Sequence, residues 1–119
     1  MKKKLLIIAL FIGLGNLYSQ ETPTDDIKTK VKTYYLAAES YYEKEEYSKV
    51  LDKIIEIETF YNLPIATLKN LKVKTLIKLK QYKKAKVELE ILYTLNPDGN
   101  ILSELSDHLI AIDEGLAGN

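Results

Sequence analysis

The side chains that could do acid, base or metal chemistry are few and scattered in this sequence. His108 is the only histidine, and its nearest carboxylates are Asp107 and Glu104. One histidine without any cysteine does not supply the usual nitrogen and sulfur ligands of a zinc site. Glycine-rich phosphate loops, histidine–glutamate metal motifs and serine elbows are also absent. We therefore expect a protein that is not an enzyme and uses no cofactor, with His108 solvated on the polar side of its helix.

The tyrosines suggest contacts with another polypeptide instead. The pairs Tyr34-Tyr35 and Tyr41-Tyr42 lie seven residues apart, so on a helix one member of each pair faces the core and the other a different surface. Tyrosine offers flat, partly apolar area with a polar tip, and it is enriched at protein interfaces. Tyr35 and Tyr42 either contact a partner or simply cover neighbouring side chains.

The first nineteen residues have the order typical of a secretory signal peptide. Three lysines precede a 13-residue, mostly apolar run from Leu5 to Leu17, and the small residue Ser19 follows. The alternative is a membrane anchor, but an anchor needs about 18–20 apolar residues, and this run is shorter. The sequence therefore predicts a signal peptide at 1–19, a single mature domain at 20–119, no stable membrane span after cleavage, and an exported protein that is periplasmic or secreted.

Charge excludes some partners and suggests others. Without residues 1–19 the chain has 14 lysines, no arginine and 17 acidic residues, a formal charge near −3, so we expect no nucleic-acid partner. Eight lysines and no acid lie between Phe60 and Val87, whereas five acids and no lysine lie from Asp98 to Glu114. These runs are either ordinary solvated helix faces or a basic patch beside an acidic end, which would attract an acidic ligand or another copy of the chain.

Helical periodicity accounts for most of the remaining sequence. Thr22 and Pro23 form a good helix start, and the apolar spacing predicts helices at about 23–44, from the polar turn at 44–46 to about 61, at 64–80, at 82–95 and at about 100–114, where Gly115 ends the last one. No segment shows the sustained alternation of a strand. The predicted fold class is all-α.

Two segments repeat each other. Residues 42–54 read YEKEEYSKVLDKI and residues 77–89 read IKLKQYKKAKVEL. When Tyr47 is set on Tyr82, 35 residues away, both show a polar turn, a tyrosine, two polar residues and an aliphatic run. Each copy predicts a helix, a tight turn and a second helix, which must stack on a neighbour to bury both of its faces.

This pattern resembles the tetratricopeptide repeat, a helical hairpin of about 34 residues. The positions that carry the resemblance are Tyr34, Ala38, Tyr41, Val50 and Ile54 in the first copy and Leu76, Ala85, Leu89 and Pro97 in the second. Lys69 and Lys72 depart from the pattern, standing where the family prefers an aromatic residue and leucine. The resemblance implies antiparallel hairpins at about 23–61 and 64–95, stacked as in an α-solenoid, with a capping helix at about 100–114. The alternative is an unrelated helical bundle.

The resemblance also implies a binding surface, because the first helices of such hairpins commonly line an inner face that receives a peptide. The matching residues in this sequence are Lys32, Tyr35, Glu39, Tyr42, Asn70, Lys74, Ile77 and Lys78. We expect a protein or peptide partner with acidic and apolar residues, bound by a non-enzymatic module or scaffold of a bacterial-type cell envelope. The alternative is a structural subunit of an envelope assembly, or a homodimer, without a peptide groove.

Overall fold

The computed structural model describes residues 24–118, and these residues form five α-helices and no strand. Helix α1 spans Asp25–Glu43, α2 Tyr47–Phe60, α3 Ala66–Lys78, α4 Tyr82–Tyr93 and α5 Gly99–Ala117. The all-α class is confirmed. The predicted signal peptide at 1–19 and the predicted helix start at Pro23 lie outside the described residues. Within the described part of the chain, no helix has both the length and the apolar content needed to cross a bilayer.

The first and last helices begin at side-chain caps. Thr24, and not the predicted Thr22, is the N-cap of α1, since its Oγ1 accepts a hydrogen bond of 3.2 Å from the backbone N–H of Ile27. Asp98 caps α5 and accepts from the N–H groups of Asn100 and Ile101, at 3.1 and 3.3 Å. Each cap satisfies helix N–H groups that have no carbonyl partner within the helix.

The end of α5 differs from the sequence prediction. Helix α5 does not stop at Gly115 but continues to Ala117. The aromatic ring of Tyr82, the first residue of α4, lies against Gly115, so closely that a Cβ atom at this position would overlap the ring. The glycine is therefore explained by a close approach between α4 and α5 and not by helix termination.

The same backbone turn joins α1 to α2 and α3 to α4. Glu45 and Lys80, which are 35 residues apart, both have a φ of 61°, and the residue after each has φ −95° and ψ 68°. Glu46 donates its backbone N–H to Tyr41 and Gln81 donates to Leu76, in both cases at 2.9 Å. Tyr47 and Tyr82 then begin the second helix of each pair, so the predicted equivalence of the two turns is confirmed.

The helices pack as two antiparallel hairpins with α5 against the second of them. In the first hairpin the rings of Tyr34 in α1 and Phe60 in α2 meet edge to face, with centroids 5.3 Å apart. In the second, Lys69 near the start of α3 pairs with Glu88 in α4 at 2.7 Å. Helix α3 contacts α1, α2, α4 and α5, so it is the central element of the fold.

Apolar side chains form two core clusters that meet at α3. The first combines α1, α2 and α3, and its buried members are Ala38, Val50, Ile54, Ile57, Leu68 and Leu71. The second combines α3, α4 and α5, and its buried members are Val73, Leu76, Ala85, Leu89, Leu92, Ile101, Leu105 and Ile112. Because α3 supplies both clusters, each hairpin covers a face that the other would leave open to water.

Two lysines that depart from the repeat pattern have a structural role. Lys69 and Lys72 in α3 lie between Glu58 in α2 and Glu88 in α4. Lys72 contacts Glu58 at 3.2 Å and Glu88 at 3.6 Å, and the lysine side chains are 13% and 18% exposed. A network of four partly buried charges thus links three helices, and its two lysines stand where the repeat pattern has an aromatic residue and leucine.

Candidate functional site

The first helices of the two hairpins and α5 together form one surface, which we call the inner face. It consists of Tyr35, Glu39 and Tyr42 from α1, Asn70 and Lys74 from α3, and Glu104 and His108 from α5. A chain of polar and aromatic contacts connects these side chains across the three helices. The inner face is therefore one continuous surface whose members come from widely separated parts of the sequence.

Lys74 connects α1 to α5 at the centre of the inner face. Its Nζ lies 5.2 Å from the centroid of the Tyr42 ring, within the range of a cation–π contact. The same Nζ is 4.0 Å from the carboxylate of Glu104. The Tyr42 ring also meets Tyr47 edge to face at 5.3 Å, which holds it in place. Because Glu104 offsets the charge of Lys74, this part of the face is mixed and not simply positive.

Asn70 connects α3 to two residues one turn apart on α5. Its Oδ1 lies 2.8 Å from Nε2 of His108, and its Nδ2 donates to Glu104 at 3.4 Å. An amide oxygen only accepts hydrogen bonds, so Nε2 of His108 carries a hydrogen and donates it to Asn70. Asn70 is itself 7% exposed. This small network holds α5 against α3 and fixes three members of the inner face.

His108 is not solvated, contrary to the sequence expectation, since it is only 8% exposed. Burial lowers the pKa of its imidazole below 6.5, because the charged form loses contact with water. The nearby Lys74 acts in the same direction, whereas the carboxylates of Glu104 and Asp107 oppose the shift. Desolvation is the largest effect, so His108 favours the neutral form in the folded protein.

The two inner-face tyrosines of α1 are also partly withdrawn from water. Desolvation raises the pKa of Tyr35, and a hydrogen bond to Glu39 together with the charges of Glu39 and Glu104 raises it further. Desolvation raises the pKa of Tyr42 as well, with smaller effects of Tyr47 and Glu104. Both phenols therefore remain neutral hydrogen-bonding groups at any physiological pH.

An apolar groove adjoins the inner face at Tyr35. It has a volume of about 290 Å³ and lies between the first half of α1, the loop after α2 and the start of α3. Its lining residues are Ile27, Lys28, Val31, Lys32, Tyr35, Tyr61, Ile65, Thr67 and Leu68. We call it the α1–α3 groove. Among the described residues that line it, the two lysines carry charge and none is acidic.

The structure brings together most of the residues predicted for a binding surface. Lys32 and Tyr35 line the α1–α3 groove, and Glu39, Tyr42 and Lys74 lie on the inner face beside it. Asn70 also belongs to the inner face, but it is buried and hydrogen-bonded to His108. Two residues have other surroundings. Ile77 packs against the second core cluster, while Lys78 is exposed at the last residue of α3.

Sequence reasoning missed the α5 members of the face and the apolar walls of the groove. Glu104 and His108 lie four residues apart, so they share one side of α5, and this spacing was the available signal. The walls formed by Ile27, Tyr61 and Ile65 had no comparable signal, because these residues become neighbours only when the loop after α2 folds over α1.

Within residues 24–118, no three histidine, cysteine, aspartate or glutamate side chains are grouped so that they could hold a metal ion. Comparison of the chain with protein-family models, with curated proteins and with solved structures finds no match.

Proposed function

We propose that this chain is an exported, non-enzymatic module that binds a peptide segment of a partner protein along the α1–α3 groove and the inner face. The observation that carries the proposal is the position of Tyr35, which lines the apolar groove and also belongs to the polar inner face. A bound segment would place apolar side chains in the groove and polar backbone groups on the inner face. Peptide-binding sites commonly combine apolar pockets with polar groups that orient the peptide.

The groove favours a segment that carries both apolar and acidic residues. Its walls are aliphatic and aromatic, and the charged side chains among its described lining residues are those of Lys28 and Lys32. An acidic side chain, or a terminal carboxylate, next to an apolar one complements this arrangement. Exposed charge pairs contribute only about 0–1 kcal/mol each, so Tyr35 and Tyr42 supply most of the affinity and the lysines mainly accelerate association.

A tetratricopeptide-like architecture is part of the proposal. It is supported by the two turns with equal dihedral angles 35 residues apart, by the antiparallel packing of each hairpin and by the central position of α3. In this interpretation α5 corresponds to the first helix of a third hairpin.

The order of residues in the first nineteen positions supports export. N-terminal sequencing of the protein accumulated by the cell tests export, and an intact Met1 would contradict it.

Binding is tested with two sets of fluorescent peptides, one alternating aspartate with leucine and the other lysine with leucine. We expect the acidic set to bind more tightly in fluorescence anisotropy. Tyr35→Ala should weaken that binding by at least about tenfold if the ring is an interface anchor. Leu36→Ala is the matched control, because Leu36 is the next residue, is 54% exposed and does not line the groove.

The charged residues give a second, separate readout. We expect Lys32→Ala to weaken binding less than Tyr35→Ala does, and added salt to remove the effect of the lysine change. Tyr42→Ala should likewise weaken binding more than Lys78→Ala. If wild type, Tyr35→Ala and Tyr42→Ala all bind equally while circular dichroism shows an intact fold, the inner face is not the binding surface.

A further inference from the structure

Several apolar side chains on the C-terminal half of the protein are exposed to water. Leu102 and Ile110 in α5 are 58% and 54% exposed, and Val87 in α4 is 59% exposed. Leu102 and Ile110 are eight residues apart, so they lie on the same side of α5 about two turns from each other. We call the exposed side of α4 and α5 that includes these three residues the C-terminal face.

The C-terminal face lies where the packing pattern of the hairpins would place another helix. Helix α1 is covered by α2, and α3 by α4, whereas in the described residues α5 contacts only α3 and α4. The ion pair between Lys86 in α4 and Asp113 in α5, at 3.5 Å, crosses the junction of these two helices, and both side chains remain about half exposed. The side of α5 that a pairing helix would cover is therefore open within residues 24–118.

Charge is arranged along the C-terminal face with a polarity. Helices α4 and α5 run antiparallel, because Tyr82 at the start of α4 contacts Gly115 near the end of α5. The exposed lysines Lys80, Lys83 and Lys84 thus lie beside the end of α5. Asp113 and Glu114 near the end of α5 offset part of this positive charge, and Asp113 pairs with Lys86. At the opposite end the charges are acidic, since Asp98 caps α5, Glu90 is exposed near the end of α4, and residues 87–118 contain no lysine.

A second copy of the chain complements this arrangement. If two copies are related by a twofold axis across the middle of α5, their α5 helices run antiparallel and the lysine end of each copy meets the Asp98 end of the other. The apolar side chains Leu102 and Ile110 then lie between the two helices. A twofold contact uses the same surface on both subunits, so one self-complementary face is sufficient.

The area is consistent with a dimer that dissociates readily. Helix α5 has 19 residues and is therefore about 28 Å long. Helix α4 has 12 residues and is about 18 Å long, so at roughly 10 Å for each helix the C-terminal face covers about 460 Å² on each copy. The sum for two copies, about 900 Å², lies below the range of stable interfaces and within that of weak, transient ones.

We propose that two copies of this chain associate through their C-terminal faces, with α5 of each copy covering α5 of the other. The contact leaves the inner face and the α1–α3 groove free, so it does not depend on the proposed peptide binding. The expected species is a dimer in equilibrium with the monomer at micromolar concentration.

The test is sedimentation equilibrium of the protein in the form that the cell accumulates. We expect the mass to rise from one chain to two with concentration and then to remain constant. Ile110→Glu should weaken the dimer by at least about tenfold, since it places a charge in the contact. Leu36→Glu is the matched control, because Leu36 has the same 54% exposure as Ile110 but lies on α1. It should leave the dimer unchanged, and circular dichroism verifies that each variant folds.

Charge neutralisation tests the twofold geometry. Lys83→Gln and Asp98→Asn should each weaken the dimer by up to about fivefold, and asparagine keeps the cap of α5. The dimer of the double variant should be no weaker than that of either single variant, because both changes remove the same contact.

Three results would each overturn the proposal. They are a chain that stays monomeric up to millimolar concentration, a mass that keeps growing beyond two chains, and equal effects of Ile110→Glu and Leu36→Glu. Peptide binding that survives Ile110→Glu separates this result from the proposed function.

Discussion

Substitution of Gly115 by alanine tests the packing of α5 on α4 most directly. Helix α5 passes the Tyr82 ring at this residue, and a Cβ atom there would overlap the ring. Alanine is the better helix former, so a view based on the helix alone expects Gly115→Ala to stabilise the protein. The structure leads to the opposite expectation, because either the ring or the helix must move.

The magnitude follows from two opposing effects. Replacement of glycine by alanine inside a helix gains roughly 0.5–1 kcal/mol. Forcing an extra methyl group into an occupied space costs about 1–3 kcal/mol. Tyr82 is only partly buried and can rotate towards solvent, which limits the strain but sacrifices its packing on the second core cluster and on Gly115. We therefore expect a net loss of about 1–2 kcal/mol, which lowers the midpoint of thermal unfolding by roughly 4–16 °C for a domain of this size.

The assay is urea and thermal unfolding followed by circular dichroism, with Gly99→Ala as the matched control. Gly99 is the first residue of α5, and a Cβ atom there would meet nothing within 4 Å. Gly99→Ala should therefore be neutral or slightly stabilising. In the background Tyr82→Ala, the change Gly115→Ala should become favourable, since the overlapping ring is gone. If Gly115→Ala raises stability in the presence of Tyr82, the proposed close approach of α4 and α5 is wrong.

Two further predictions concern a turn and a buried base. Lys80 has a φ of 61°, a conformation that costs a non-glycine residue about 1–2 kcal/mol, so Lys80→Gly should raise the free energy of unfolding by up to about 1 kcal/mol, whereas Lys84→Gly within α4 should lower it by about as much in urea unfolding. An unchanged midpoint for Lys80→Gly would contradict this turn geometry. The pKa of His108 is lowered on folding, so the unfolded chain binds more protons just below pH 6.5, and stability should rise with pH through that range and level off above it. His108→Gln should flatten this rise in urea midpoints measured between about pH 5 and 7.5, and an equal slope in both proteins would show that His108 does not cause it.

The sequence alone determined the helical class, the approximate helix positions and the repeated turn. These follow from local physics, because helical periodicity and the residues at helix ends act over a few neighbouring positions. The match between Tyr47 and Tyr82 located the two turns correctly at a spacing of 35 residues. The burial of Leu89 followed from the same apolar spacing, since it is fully buried in the second core cluster.

Three residues have neighbours that the local sequence does not reveal, and contacts between helices explain why these residue types are present. Gly115 was interpreted as a helix end because glycine often ends helices, yet its neighbour is a ring from another helix. His108 was interpreted as solvated because polar residues flank it, yet Asn70 of α3 lies 2.8 Å away. Lys69 departs from the repeat pattern, and the ion pair that explains it was not foreseen because its partner Glu88 is 19 residues further along.

The same distinction holds for the proposed binding surface. The spacing of Tyr35 and Tyr42 on α1 was sufficient to place both on one side of that helix, because a helix has a fixed period. Which residues lie opposite them depends on how α3 and α5 pack against α1, and this packing joins side chains more than 60 positions apart. Periodicity within one helix is encoded locally, whereas contacts between helices arise only when the core forms and brings distant segments together.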